Sequence, residues 1–217
     1  MSPAWAVAQR MFAVLGLVTL APLTGALALA VRLTSPGPAL HRAARMSSGR
    51  TFTIYKLRTM RVGASVGGLG VTAADDPRVT RLGRLLRRTK LDELPQLWNV
   101  VLGDMLLVGP RPEDPCYADL SNPLHREVFG ATPGITGPTA LAWRDEEERL
   151  AAAAQGVARE TGRASATDDD VERAYRVLIL PQKLAMDAEY LRTRSMRGDL
   201  AILGRTIGAV IRRTGGR

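Results

Sequence analysis

The sequence predicts an α+β chain, mainly helical, in which a re-entrant membrane helix precedes a small cytoplasmic domain with a short β-hairpin. Three observations lead there. Residues 11–31 are 21 positions without a charge, enough for a helix to cross a hydrocarbon layer of about 30 Å. Between residues 50 and 60, Phe52 and Ile54 alternate with Thr51, Thr53 and Tyr55, the period-two pattern of a half-buried strand. From Thr80 onward, apolar residues recur at helical spacing between Pro and Gly punctuation. The expected division is 1–34 for the membrane helix and 35–217 for the cytoplasmic domain.

The apolar segment is flanked by Arg10 and Arg32, so the preference of basic residues for the cytoplasmic side assigns no orientation to a simple span. Pro22 lies at its midpoint. Proline removes an intrahelical hydrogen bond and crowds the preceding turn, and Gly16 and Gly25 weaken the rod on either side. A bent helix with both ends on one face accounts for this, with Thr19, Thr24 or another part of the protein satisfying the freed backbone. A kinked spanning helix has the same composition. A cleavable signal peptide fits less well, although Ala26-Leu27-Ala28 resembles a cleavage site, because the apolar run continues past it. Thr34-Ser35-Pro36-Gly37-Pro38 ends the segment as a turn.

Residues 39–45 are the expected hairpin partner of the strand. Lys56 and Arg58 fall on its Phe52/Ile54 face, where a charge is costly unless it meets an anion. Both are candidate phosphate contacts; a strand end in solvent is the plain alternative. The Gly-rich stretch 63–70 reads as a loop, with no Gly-Lys-Ser or Gly-Lys-Thr to make a phosphate cradle. Thr80 caps a helix through Arg88, with Leu82, Leu85 and Leu86 inward. Pro95 is tolerated only in a first helical turn, so a helix is expected from about Asp92 to near Gly103. Asp92 is then its N-cap, kept ionised by free N–H groups and by Arg84, Arg87 and Arg88.

Residues 105–108 form a short apolar strand that enters Pro110-Arg111-Pro112, where two prolines present Arg111 on a stiff backbone. An amphipathic helix is expected over 144–160. Asp168, Asp169 and Asp170 read first as a helix start and second as a metal site. A helix over 171–191 is interrupted near Pro181. In the last helix, 200–213, Leu200, Leu203, Ile207, Val210 and Ile211 share one side, and packing on the core is slightly favoured over the membrane interface.

Thirty basic against 21 acidic residues give +9, and the lysines are Lys56, Lys90 and Lys183 alone. This balance suits anionic partners such as phosphorylated metabolites or lipid headgroups. Nucleic acid is not expected, since aromatic residues are few and the charge follows no nucleic-acid motif. Cys116 is the single cysteine, which excludes an internal disulfide; it reads as a small packed side chain. No repeat, zinc-ligand spacing or Ser/His/Asp order stands out.

Five blocks in one order resemble the bacterial sugar transferases, the monotopic phosphoglycosyl transferases. They are Ser35-Pro36-Gly37-Pro38, the run from Phe52 to Met60, the run from Leu91 to Val100, Gly103-Asp104-Met105 with Val108-Gly109-Pro110-Arg111-Pro112, and Pro133-Gly134-Ile135-Thr136-Gly137. Asp187, Tyr190, Ser195 and Asp199-Leu200 also match that family's C-terminal spacing. The resemblance implies transfer of a phospho-sugar from a nucleotide sugar, usually a UDP-sugar, to polyprenol phosphate at the cytoplasmic face of the plasma membrane. It further implies Asp92 as nucleophile through an aspartyl-phosphosugar intermediate, Glu93 as its partner, Asp92 and Glu93 as ligands of Mg²⁺, and Lys56, Arg58, Arg87 and Arg111 as substrate-binding cations. Membrane lipids are expected partners, and a homodimer is an admissible state. There are departures: Ala13 stands near the place of a usual Asp, Ala21 replaces the Ser before the bend proline, Ser47 stands where Gly is common, and Pro138-Thr139-Ala140-Leu141 replaces Trp-x-Gln-Val and leads into a longer helical insertion.

Overall fold

The computed structural model describes residues 2–63, 71–74 and 76–215; most of the predicted Gly-rich loop, 64–70, lies outside the described residues. Helix α1 is Pro3–Thr34, capped by the Ser2 hydroxyl on the Trp5 N–H, with Pro3 in its first turn. It is long and apolar enough to cross a membrane. Helical assignment runs unbroken through Pro22, and the Thr19 and Thr24 hydroxyls bond the carbonyls of Leu15 and Leu20. Those are not the expected partners at the proline, whose missing N–H faces the Val18 carbonyl four residues back.

What ties α1 to the rest is contact along its length. Trp5 Nε1 donates to Asp199 at 2.8 Å, and the fully buried Gln9 accepts the Val108 N–H. Ala13 enters a cluster with Phe52, Ile54, Val100 and Met105. Near the other end, Val31 packs with Leu57 and Leu86. Both ends therefore rest on one body, while Leu15 and Val18 between them remain exposed.

Strands β1, Leu40–Ser47, and β2, Arg50–Leu57, form the antiparallel hairpin, with His41 opposite Lys56. Its turn residues Ser48 and Gly49 both have positive φ, 49° and 74°, the geometry whose twist matches a two-residue hairpin. Helix α2, Arg81–Thr89, starts on the Thr80 cap as predicted, but Leu85 is exposed rather than inward. The helix expected from Asp92 begins later: residues Leu91–Glu93 form a 3₁₀ turn, and α3 is Gln96–Leu102, closed by Gly103 at φ 87°.

Strand β3, Leu106–Val108, pairs in parallel with β4, Gly134–Thr136, across the short helix α4, Pro123–Phe129. Then come α5, Pro138–Ala142, and α6, Glu146–Glu160. Helix α7, Asp168–Ala174, opens with a reciprocal capping box between Thr167 and Asp170. The three aspartates are thus a helix start, and no group of three or more metal-ligating side chains occurs among the described residues. A π turn over Tyr175–Ile179 leads into α8, Leu180–Thr193, which carries Pro181 in its first turn. The extra residue of the π turn absorbs the proline without ending the rod. Tyr117, Phe129, Trp143, Leu150, Tyr175 and Leu184 form the main core between α4, α6 and α8.

Helix α9, Met196–Gly215, does not bury the predicted stripe: Leu200 and Ile207 are 49% and 60% exposed. It is held to β4 by a Thr136–Thr206 hydroxyl bond of 2.7 Å. Cys116 is likewise exposed, not packed, in a 3₁₀ turn, because the Asp114 cap turns this segment outward before the core residue Tyr117.

Gly83 seats α2 on the chain: a Cβ there would collide with the Thr59 carbonyl. Gly83→Ala is expected to cost about 1–3 kcal/mol, the usual range for overpacking; thermal unfolding in detergent followed by circular dichroism checks this, and an unchanged midpoint contradicts it.

Candidate active site

Lys90 adopts the left-handed conformation, φ 59° and ψ 18°, ending α2 and redirecting the chain. The two carboxylates that follow sit in the 3₁₀ turn, both buried, on the wall of an open cleft of about 1310 Å³. The hairpin, residues 111–114, and the start of α6 supply its other walls. Asp92 is therefore not an N-cap.

Glu93 organises the wall. Its Oε1 accepts Arg111 at 3.0 Å and Lys56 at 3.4 Å. Burial pushes the Glu93 carboxyl upward, but Arg111 and Lys56 outweigh it and hold it far below the ordinary range. The Arg111 guanidinium is held charged by Glu93 in return. Burial lowers the Lys56 ammonium against the pull of Glu93. Arg111 is also fixed through its backbone: its N–H donates to Asp187 at 3.0 Å, and Thr139 donates a hydroxyl bond to the same carboxylate. Burial pushes Asp187 up to about 6, against both of those bonds.

Asp92 has the opposite environment. Its Oδ1 is buried with no hydrogen-bond partner. Burial first, and the adjacent Glu93 second, raise its pKa; Lys56, Lys90 and Arg87 pull the other way without prevailing. The expectation that cap N–H groups and arginines keep this carboxyl low is thus reversed: Glu93 takes the compensating cations and Asp92 bears the desolvation. A buried carboxylate left without donors is a stronger base and nucleophile than one bound by them.

The other predicted cations divide. Arg87 lines the cleft, with Nε on the Thr59 hydroxyl at 2.9 Å and a second nitrogen on Glu147 at 2.8 Å. Arg58 lines the cleft too, but its guanidinium binds the carbonyls of Pro36 and Ser35 at 2.7 and 2.5 Å. Placed just beyond the end of β2 rather than within it, Arg58 clasps the exit of α1 instead of presenting its charge as the strand-face reading expects.

Sequence reasoning missed a polar cluster on the same cleft. Lys183, 3% exposed, contacts Glu113 at 2.5 Å, Glu146 at 2.8 Å and the Tyr175 hydroxyl at 2.8 Å. Tyr175 in turn donates to Glu113. The available signal was slight: a lone lysine in an arginine-rich chain, on an apolar helix face, paired to an acidic helix start far away in sequence.

Magnesium fits these residues in a limited way. The Asp92 Oδ1 is an oxygen donor buried without a hydrogen-bond partner, and Asp92 and Glu93 both line the cleft. Mg²⁺ commonly uses one or two carboxylates and completes its shell with phosphate oxygens and water.

A family model described as bacterial sugar transferase matches residues 4–213. The chain is 36% identical over 195 residues to the UDP-glucose:undecaprenyl-phosphate glucose-1-phosphate transferase of Caulobacter vibrioides, covering 88% of this chain and 63% of that protein. It is 36% identical over 202 residues to the undecaprenyl-phosphate glucose phosphotransferase of Komagataeibacter xylinus, covering 89% and 33%. Against the UDP-N-acetylgalactosamine-undecaprenyl-phosphate N-acetylgalactosaminephosphotransferase of Aeromonas hydrophila, identity is 38% over 144 residues, covering 63% and 34%. The chain thus spans less than two thirds of the length of these relatives.

Lys183→Met leaves Glu113 and Glu146 without their shared cation. Removing one partner of a buried ion cluster costs about 3–5 kcal/mol. A large drop in thermal midpoint is expected, and a shift of under a degree contradicts the role given to this cluster.

Proposed function

The chain belongs to the bacterial sugar transferase family, and from that premise we propose that it is a phosphoglycosyl transferase: it moves a phospho-sugar from a nucleotide diphosphate sugar, a UDP-sugar, to polyprenol phosphate, as the first membrane step of surface glycan assembly. The observation that carries this reading is the buried, unpartnered Asp92 Oδ1 beside the Glu93–Lys56–Arg111 cluster, in a cleft rich in cations.

In the first half-reaction an Asp92 carboxylate oxygen attacks the sugar-bearing phosphorus. The new O–P bond forms as the bond from that phosphorus to the bridging oxygen breaks, and nucleoside monophosphate leaves. In the second, an oxygen of the lipid phosphate attacks the same phosphorus and the Asp92–phosphorus bond breaks, restoring the carboxylate and giving polyprenol diphosphate-sugar. An ionised nucleophile and an ionised acceptor need no proton transfer. Glu93 holds Lys56 and Arg111 in place, and these with Arg87 offset the diphosphate charge that otherwise repels an incoming carboxylate. Asp92 and Glu93 are the residues that would hold Mg²⁺, which supplies further neutralisation of the diphosphate when bound.

The reading places the protein at the cytoplasmic face of the plasma membrane, monotopic, with α1 re-entering. Docking of Trp5 and Val31, near opposite ends of α1, onto one body supports this, since a simple span puts its ends on opposite sides.

Asp92→Asn is expected to abolish nucleoside monophosphate release while leaving the thermal midpoint within a few degrees; a panel of nucleotide sugars assayed with polyprenol phosphate in membranes checks this, and full turnover by the variant sinks the reading. The rate also depends on the ionised Asp92. Because its pKa is raised, the ionised fraction is lost as pH falls through a value above the ordinary aspartate figure of about 3.9. The pH profile of the donor half-reaction should show an acid limb above that figure.

A further inference from the structure

We propose that Arg32 binds the phosphate head of the lipid acceptor, delivered along the C-terminal half of α1; the proposal rests on the transferase reading above. The two substrates differ in how they arrive. The donor is water-soluble, whereas the acceptor carries a long apolar chain and one phosphate monoester, so it needs an apolar approach that ends at a cation close to Asp92.

The C-terminal half of α1 supplies an apolar approach and ends at a cation on the cleft that holds Asp92. Val31, with Leu27 and Ala28, packs against Leu57, Leu86 and Leu91. Leu57 directly follows Lys56, and Leu91 directly precedes Asp92. The contact between the apolar helix and the domain therefore ends one residue from the nucleophile and one from the lysine that faces Glu93. On the outward side of the same turns, Leu29 and Leu33 are 58% and 78% exposed, leaving apolar surface for an acyl chain.

Arg32 stands in the last turn of α1 and lines the same cleft as Lys56 and Asp92. It is exposed and makes no hydrogen bond or ion pair among the described residues. In the same cleft Arg58 is committed to the Ser35 and Pro36 carbonyls, and Lys56 and Arg111 to Glu93. A basic residue at the end of an apolar helix sits where hydrocarbon gives way to headgroups. A guanidinium with no internal partner at that level matches a phosphate monoester with two parallel donors.

The test uses the full chain in lipid nanodiscs and reads each substrate separately. Nucleoside monophosphate released from the donor without acceptor reports the first half-reaction, and the KM for polyprenol phosphate reports the second. Arg32→Gln is expected to raise the acceptor KM about tenfold, the loss of one charge-assisted bond, and to leave the donor half-reaction and donor KM unchanged. Arg32→Lys should restore part of the loss. An unchanged acceptor KM overturns the proposal, as does a slowed donor half-reaction, which assigns Arg32 to the nucleotide sugar. Partition of both proteins into phosphatidylcholine vesicles, with and without phosphatidylglycerol, covers the remaining source of phosphate: weaker binding of the variant to the anionic vesicles makes Arg32 a general headgroup anchor and overturns it too. If the wild-type chain releases no nucleoside monophosphate from any donor, the transferase reading fails first and this proposal falls with it.

Discussion

The Glu93 carboxylate between Lys56 and Arg111 is the contact on which the rest depends. It joins three segments remote in sequence: the end of β2, the 3₁₀ turn and the Pro-Arg-Pro loop. Burying three charges is expensive, and the cost is offset only when all three are present in good geometry. Its consequence for the neighbouring carboxylate is chemical. With the cations drawn to Glu93, Asp92 keeps an oxygen without a partner, and a group that would otherwise be a spectator ion is left reactive.

Helix α1 and the cleft are built together. Packing and polar contacts hold α1 in position. Buried polar contacts do this at one end, through Trp5 on Asp199 and Gln9 on Val108. At the other end Arg58 binds the carbonyls beyond the last turn, and Val31 packs beside Leu57. Arg58 thereby couples the helix exit to the strand end that carries Lys56. A residue whose charge suggests substrate binding instead sets the geometry of the residues that line the cleft.

The segment after Gly137 departs from the pattern of the resembling family, yet it furnishes part of the site. Thr139 bonds Asp187, which steadies the Arg111 backbone. Glu146 and Glu147, at the start of α6, reach Lys183 and Arg87. The insertion thus completes one wall of the cleft with acidic groups that balance its cations, and it does so on α6, which packs into the main core, where small shifts are resisted by close packing.

Much was determined by local sequence alone. The apolar length of α1, the hairpin with its alternating Phe52 and Ile54, the Thr80 cap, the stiff Pro-Arg-Pro turn and the pairing of Asp92 with Glu93 all follow from short-range rules of hydropathy, period and backbone restriction. Where local rules misled, the cause was tertiary. Lys90 in a left-handed turn moved the helix start from Asp92 to Gln96, and Arg58 found carbonyls rather than an anion. The low Asp92 pKa expected from nearby arginines became a raised one, because desolvation and the division of cations between two adjacent carboxylates depend on which distant residues come within a few ångströms. The Lys183 cluster was decided in the same way. Sequence by itself determined which groups are available and which backbone segments are regular; only the folded arrangement decided their partners, since electrostatic energy depends on distance and burial, and neither is a property of neighbours along the chain.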